Sequence, residues 1–272
     1  MEKIKQALDR ARTSRTKSLN STVNQREFRQ SRHLIDTTQI EYTTTKLIEV
    51  SSDILRKNKI IVGDSNNEVS DQYKLLRTQI IQRLKANKWN SIAITSPTEG
   101  CGKTLTSINL AISLAREVNH TVLLVDMDLR RPKIHNYFHQ EELLGLSDYI
   151  SENVNLNEML FNPGIERLVI LPGNKPITNS SEMLSSPKLV KLVDELKNRY
   201  PNRVILYDMP PLLSCDDMIA FSPYIDSIML IIEEGKTKKE ELKSAYQLIE
   251  QANIIGTVLN KSKSNLTLNG YY

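Results

Sequence analysis

Gly100, Gly102, Lys103 and Thr104 close the stretch Ser91-Ile-Ala-Ile-Thr-Ser-Pro-Thr-Glu-Gly-Cys-Gly-Lys-Thr104, and residues of these types in this order can grip phosphate. Glycines let the backbone curl so that successive N–H groups face inward, and the start of a following helix adds unpaired donors and a partial positive charge. Lys103 reaches the β- and γ-phosphates of a nucleotide in such a loop, and the Thr104 hydroxyl takes one Mg2+ position. The tripeptide Gly-Lys-Thr alone also fits an ordinary turn. The strict G-x-x-x-x-G-K-[ST] pattern fails here, because Pro97 stands where its first glycine belongs. The flanks carry the assignment: an apolar run (Ile92, Ala93, Ile94) precedes the loop, and Leu105, Ile108, Ile112 and Ala115 recur after it at helical steps.

Three carboxylates complete the set. Thr121-Val-Leu-Leu-Val-Asp-Met-Asp-Leu-Arg-Arg-Pro132 ends an apolar run in Asp126 and Asp128, and Arg203-Val-Ile-Leu-Tyr-Asp-Met-Pro-Pro211 ends another in Asp208. Runs without polar alternation are expected of parallel strands covered on both faces. Right-handed crossovers place the carboxyl ends of such strands on one edge, so the acids should meet the phosphate loop. There they can hold Mg2+ or its waters, and Asp208 can also meet the Thr104 hydroxyl. Asn260 ends a further run, Ile254-Ile-Gly-Thr-Val-Leu-Asn-Lys261, and its amide suits either an adenine edge or a turn.

The elements that must position these residues make an α/β fold: a doubly wound, mostly parallel sheet flanked by helices. Arg167–Leu171 and Ser227–Ile232 read as additional core strands. Gly145–Ile150 and Leu156–Phe161 read as short helices. Ser186 and Pro187 open a helix with Leu189, Leu192, Val193 and Leu196 on its apolar face. Thr237 and Glu240 form a capping-box pattern before Leu242, Ala245, Leu248 and Ile249. Val69, Tyr73, Leu76, Ile80 and Leu84 mark a helix before the first core strand, with Asp71, Lys74 and Arg77 along an adjacent face. From spacing alone that charged row is an exposed face with weak i,i+3 pairs.

A chain of 272 residues with a net charge of +4 can bury a sizeable core. Residues 1–62 carry 13 Lys/Arg against 7 Asp/Glu, so the basic excess belongs to an N-terminal arm and the remainder is slightly acidic. Residues 1–12 suit a short helix, and the polar composition from Thr13 to about Asn67 reads as flexible or ordered by a partner. The expected divisions are an arm over 1–67, a nucleotide-binding body over 68–261 and a tail over 262–272. No run of 18 apolar residues and no apolar leader occurs, and Cys101 and Cys215 suggest neither disulfide nor metal, which points to a cytoplasmic location. No helix-turn-helix or zinc-finger spacing supports nucleic acid as a partner.

Ser96–Thr104 resembles the Walker A loop of bacterial tyrosine kinases, Leu123–Arg130 their hydrophobic-DxDxR Walker A′ element, and Val204–Pro211 their hydrophobic-D-x-P-P Walker B element. These are autokinases of capsule and exopolysaccharide synthesis whose fold is similar to that of MinD and ParA ATPases. The resemblance covers about residues 68–261 and is nearest the separate cytoplasmic type. Asp71-x-x-Lys74-x-x-Arg77 is similar to the family's E-x-x-R-x-x-R subunit-contact motif with two conservative departures, so the charged row becomes a candidate contact in a ring.

The resemblance implies ATP- and Mg2+-dependent phosphorylation of tyrosine, mainly on a neighbour's C-terminal tail, where Tyr271 and Tyr272 stand in place of the usual larger cluster. It implies a nucleotide site built from Gly100, Cys101, Gly102, Lys103, Thr104, Leu105 and Asn260, with catalysis by Lys103, Asp126, Asp128 and Asp208. Thr104, Asp126 and Asp208 fall on the metal side. Asp128 is the candidate to orient or deprotonate the tyrosine hydroxyl, although the division between Asp126 and Asp128 stays open. The implied partners are a membrane-embedded polysaccharide chain-length regulator at the inner face of the membrane, further copies of the chain and a cognate tyrosine phosphatase. The alternatives are a MinD/ParA-like switch ATPase and a nucleotide-gated scaffold. Ser96–Gly102 lacks the second lysine usual in the switch class.

Overall fold

The computed structural model describes residues 45–61, 68–139, 143–152, 154–200 and 202–263. The helix expected over residues 1–12 and the tail tyrosines Tyr271 and Tyr272 lie outside them. The first described strand, β1 (Lys46–Leu47), is followed by the helices α1 (Ser52–Lys57) and α2 (Glu68–Asn87). Next come β2 (Ser91–Thr95), α3 (Lys103–Ala115) and β3 (Thr121–Asp126), then α4 (Ile134–Phe138), α5 (Leu146–Glu152) and α6 (Leu156–Met159). The chain continues through β4 (Phe161–Asn162), β5 (Leu168–Leu171), α7 (Ser180–Leu184), α8 (Pro187–Asn198) and β6 (Arg203–Asp208). It ends in α9 (Asp217–Phe221), β7 (Ser227–Glu233), α10 (Lys239–Leu248) and β8 (Ile254–Asn260).

The strands form an eight-stranded sheet in the order β1-β4-β5-β3-β6-β2-β7-β8. It is parallel except where Phe161 of β4 pairs antiparallel with Ile170 of β5. Three neighbours matter most: β3, β6 and β2 lie side by side, with Asp126 opposite Asp208 and Ile94 also opposite Asp208. The two expected acid-bearing strands and the loop-bearing strand therefore end together.

Alternation along these strands feeds two cores, one on each face. Ile92, Ile94, Val122, Leu124, Val204 and Leu206 pack on the side of α2 and α3 with Ile80, Leu84, Ile108 and Ile112. Ala93, Leu123, Val125, Ile205 and Tyr207 face Leu189, Leu192, Val193 and Leu196 of α8 on the other. Each fully buried Leu or Ile is worth roughly 1.5–3 kcal/mol, and burial on both faces is why these runs carry no polar alternation. The Ser186 hydroxyl accepts from the Leu189 N–H at 3.4 Å and caps α8, as its sequence indicates.

Several expectations change. Residues 45–61, assigned by composition to the arm, belong to the folded body. β1 extends the sheet beside β4, and Ile48, Leu55 and Ile60 are buried in the first core. On α2, Val69 is exposed and Ser70 buried, so the inward face is narrower than the apolar stripe suggested. The helix expected over Leu156–Phe161 stops at Met159 and gives way to β4. The polar stretch after Leu171 contains α7. The cap of α10 sits one residue later than expected: Glu241 accepts from the Lys238 N–H at 2.9 Å, while Thr237 Oγ1 accepts from Glu233 N at 2.9 Å.

Candidate active site

The loop between β2 and α3 turns on two glycines in the left-handed region, Gly100 (φ 82°) and Gly102 (φ 89°). A Cβ at Gly102 would also collide with the Asn260 amide. The Asn260 Nδ2 donates to the Cys101 carbonyl at 2.8 Å, and Lys261 Nζ donates to the Gly100 carbonyl at 2.7 Å while pairing with Glu233 at 3.1 Å. The end of β8 thus holds the loop from behind, and Asn260 faces the loop backbone. Cys101 is buried, with its Sγ 3.7 Å from Thr98 Oγ1 and 3.8 Å from Thr237 Oγ1, and it is a free thiol. Leu105 lies in the first turn of α3 and is half-buried.

The expected chemical residues converge. Lys103 Nζ donates to Asp128 Oδ2 at 2.8 Å, and both side chains are nearly buried. Thr104 Oγ1 donates to Asp208 Oδ2 at 2.6 Å. Ser107 Oγ reaches the other oxygen of Asp208 at 3.0 Å. Ser107 was not singled out from the sequence, although its position three residues after Thr104 puts it on the same helix face. Asp126 is wholly buried. Its Oδ2 accepts from the backbone N–H groups of Lys133 and Ile134 at 2.8 and 2.9 Å, and its Oδ1 has no hydrogen-bond partner.

Two further pairs frame the site. Arg130 Nε donates to the buried Asp217 at 3.0 Å, tying the segment after β3 to α9, and Arg131 holds Glu99 of the loop with both N–H···O distances at 2.9 Å. The row Asp71, Lys74 and Arg77 lies elsewhere, along α2. Lys74 pairs with Asp71 at 3.0 Å, and Arg77 Nη1 donates to the Ser113 carbonyl near the end of α3 at 3.1 Å.

The electrostatics are those of a site short of positive charge. Burial pushes Asp126 up to about 8, the neighbouring Asp208 carboxylate adds to the rise, and the two backbone donors oppose it. Burial likewise raises Asp208 against the pull of Lys103, Thr104 and Ser107. For Lys103 burial favours the neutral amine, but Asp208 and Asp128 together outweigh it and hold the pKa above the ordinary lysine value.

An orphaned buried carboxylate oxygen beside a second raised carboxylate and a threonine hydroxyl is a set of hard oxygen donors that fits Mg2+. Among the described residues no three metal-binding side chains are gathered to cage an ion alone. Phosphoryl-transfer sites meet that condition, because Mg2+ there takes one or two protein ligands and completes its shell with phosphate oxygens and water.

The Asp126 shift has a measurable consequence in metal- and nucleotide-free protein. Its unfolded value is 3.8 and its folded value about 8. The native state binds more protons in between, so this group's stabilising contribution is complete below pH 4 and declines as pH rises through 8. Asp126→Asn, which imitates the protonated acid and keeps an oxygen for both backbone donors, should match the parent near pH 4. By pH 8 it should melt several degrees higher, corresponding to at least about 1 kcal/mol. Thermal melts showing the same difference at both pH values would contradict this assignment.

Comparison with known proteins agrees with this geometry. Residues 92–271 match the model of the CobQ/CobB/MinD/ParA nucleotide binding domain. The tyrosine-protein kinase YwqD of Bacillus subtilis is 29% identical over 221 residues, covering 80% of this chain and 92% of the relative. The putative tyrosine-protein kinase CapB of Staphylococcus aureus is 28% identical, covering 75% of this chain and 89% of its own. Among solved structures, the kinase domain of the Escherichia coli tyrosine kinase ETK superposes with a TM-score of 0.69 at 26% identity, covering 83% of this chain and 94% of that one.

Proposed function

The chain belongs to the CobQ/CobB/MinD/ParA nucleotide binding domain family, among relatives that are bacterial tyrosine kinases, and from that premise we propose that it transfers the γ-phosphoryl group of ATP to Tyr271 and Tyr272 of a neighbouring subunit and so regulates exopolysaccharide or capsule synthesis. The observation that carries this reading is the meeting, on three adjacent strand ends, of Lys103 with Asp128 and of Thr104 with Asp208.

In the reaction the tyrosine oxygen–phosphorus bond forms, the bond to the ADP leaving oxygen breaks, and the phenolic proton passes to a carboxylate. Thr104 and Asp208, with Asp126 behind them, would hold Mg2+, which when bound would supply positive charge against the phosphates. Lys103 holds the same phosphates as charge shifts onto the leaving group, and the loop N–H groups fix them in place. Thr104 and Asp208 form the metal side, with Asp126 behind them. Asp128 accepts or orients the tyrosine hydroxyl. Lys103 and Asp128 are hydrogen-bonded to each other, so drawing the amine onto phosphate frees the carboxylate for the tyrosine. Nucleotide arrival and unmasking of the acceptor then become one event. Gly100, Cys101, Gly102, Leu105 and Asn260 serve by shaping the loop rather than by chemistry.

Transfer between subunits needs a contact, and the Asp71–Lys74 pair suits one. It is an exposed i,i+3 pair whose rupture costs at most about 1 kcal/mol, so either charge can exchange its partner for a neighbour's. Arg77 is held by its own chain and acts by fixing α2 against α3. Among the described residues no helix is long and apolar enough to cross a membrane. A membrane-embedded regulator is proposed as the activator that recruits the chain to the inner membrane face, and a tyrosine phosphatase as the enzyme that resets it.

Mixing two variants tests transfer between subunits. A Tyr271→Phe/Tyr272→Phe chain keeps the site but lacks acceptors, and a Lys103→Met chain keeps acceptors but lacks the site. Incubated together with Mg-ATP, they should yield phosphotyrosine on the Lys103→Met tail by peptide mass spectrometry. Phosphate on neither chain, with ATP still hydrolysed, would favour the switch ATPase instead.

A further inference from the structure

Two short stretches that the reaction leaves unused, Gly145-Leu-Ser-Asp148 and Pro172-Gly-Asn-Lys175, meet beside Asp126. The second follows β5, the parallel neighbour of β3, so it emerges on the same edge of the sheet as the acids. Its continuation runs along the segment after β3, where Ile177 N donates to the Leu129 carbonyl at 2.7 Å. Gly173 makes the closest approach. A Cβ there would stand 2.5 Å from Pro132 Cβ and 3.5 Å from Asp126 Cγ. The first distance is a collision and the second is van der Waals contact, so only glycine fits between them. Pro132 leads directly into Lys133 and Ile134, whose N–H groups hold Asp126 Oδ2. The Gly173 backbone therefore packs against both the carboxylate and the turn that carries its donors.

The start of α5 fixes this loop. Leu146 N donates to the Pro172 carbonyl at 2.9 Å and Ser147 N to the Gly173 carbonyl at 3.1 Å, while Ser147 Oγ accepts from Lys175 N at 3.0 Å. Between these ties Asn174 takes a left-handed backbone (φ 66°), which is uncommon outside glycine. Its Nδ2 donates to Asp148 Oδ2 at 2.8 Å. The same oxygen accepts from Gly145 N at 2.8 Å, and Lys175 Nζ stands 4.0 Å from the other one. Asp148 is buried. The bond to Gly145 is the reach of an acid in the first helical turn back to the cap, and it would close α5 by itself. The bond to Asn174, 26 residues away, adds nothing to α5. What it holds is the left-handed turn next to Gly173.

We propose that Asp148 is a positioning residue for Asp126: by tying Asn174 it fixes the turn that sets Gly173 against the Asp126 carboxylate, and so keeps that carboxylate where it serves Mg2+. Asp126 Oδ1 has no hydrogen-bond partner of its own, so its place depends on the groups packed around it. The inference rests on the reading of Asp126 as a metal-side acid and not on transfer to tyrosine.

Calorimetric titration of the full chain with ADP, with and without Mg2+, tests it. Asn174→Gly is the sharpest variant, because glycine accepts the left-handed backbone and the Gly145 bond on α5 stays intact, so only the tie is lost. Mg2+ should tighten ADP binding by the parent. In Asn174→Gly and in Asp148→Ala that gain should shrink by about tenfold, the scale on which groups behind a metal ligand act, with metal-free ADP affinity unchanged. Asp148→Asn keeps an oxygen for both donors and should match the parent. Thermal melts show whether each variant is folded, and Asn174→Gly carries the test where Asp148→Ala does not fold. The inference is overturned by a full Mg2+ gain in Asn174→Gly, by an equal loss of metal-free affinity, or by a parent in which Mg2+ brings no gain. A loss in Asp148→Ala alone would make Asp148 a cap for α5 and nothing more. A parent that gains affinity from Mg2+ yet leaves every tyrosine unmodified with ATP would refute the kinase and leave this role of Asp148 standing.

Discussion

Lys103→Met should lower phosphate transfer to tyrosine by about a thousandfold or more, the scale on which single charged groups act on phosphoryl transfer. The methionine keeps the length and much of the volume of the lysine stem, so the loop and α3 should stand. What disappears is the cation that, among the described residues, stands with Asp126, Asp128 and Asp208. Asp208 and Asp128 are the charges that hold Lys103 protonated against burial, and with the amine gone they face each other uncompensated. The substitution therefore removes phosphate stabilisation and also takes from Asp128 the side-chain donor it has among the described residues. Radiolabel incorporation at saturating Mg-ATP measures the loss, with a far-ultraviolet spectrum to show that the chain is folded. A rate within tenfold of the parent would mean that phosphate is held elsewhere.

Asp208→Asn should cost about a hundredfold in rate and shift the magnesium requirement upward, because the carboxylate on the metal side is replaced by a neutral amide. Stability should change little or improve. Burial already raises the Asp208 pKa, so the charge is held at a cost that the amide avoids. The Thr104 and Ser107 hydroxyls can each rotate to meet an amide oxygen or an amide N–H, so neither is left unpaired. A magnesium titration of activity separates this account from simple misfolding: a folded variant partly recovered by added magnesium fits, and an unchanged rate and magnesium requirement contradict it.

How far the sequence could be read depended on burial. Runs such as Val122–Val125 and Val204–Tyr207 were legible as core strands because both faces are covered and no polar residue interrupts them. Their terminal acids were legible as a site because parallel strands bring carboxyl ends together. Segment 45–61 was not, because an edge element buries one face only. Ile48, Leu55 and Ile60 are spaced among polar residues with no helical or strand period. In the first turn of α2 Ser70 faces inward while Val69 stays in water, the reverse of an apolarity count. At α10 two adjacent glutamates, Glu240 and Glu241, offered two cap registers, and the backbone took the later one. Ser107 passed unnoticed because a serine inside an apolar helix carries no distinguishing signal until its partner, Asp208, lies 3.0 Å away. Arg130 and Asp217 are far apart in sequence, and only the fold brings them together at 3.0 Å. The same holds for Lys261, whose reach to the Gly100 carbonyl gives the β8 end a part in shaping the loop.

Mass spectrometry of the purified chain after incubation with ATP and magnesium tests the central claim most directly. Phosphate should appear on Tyr271 and Tyr272, and on neither when magnesium is omitted. ATP consumed under the same conditions with every tyrosine unmodified would contradict a kinase and leave a nucleotide switch in its place.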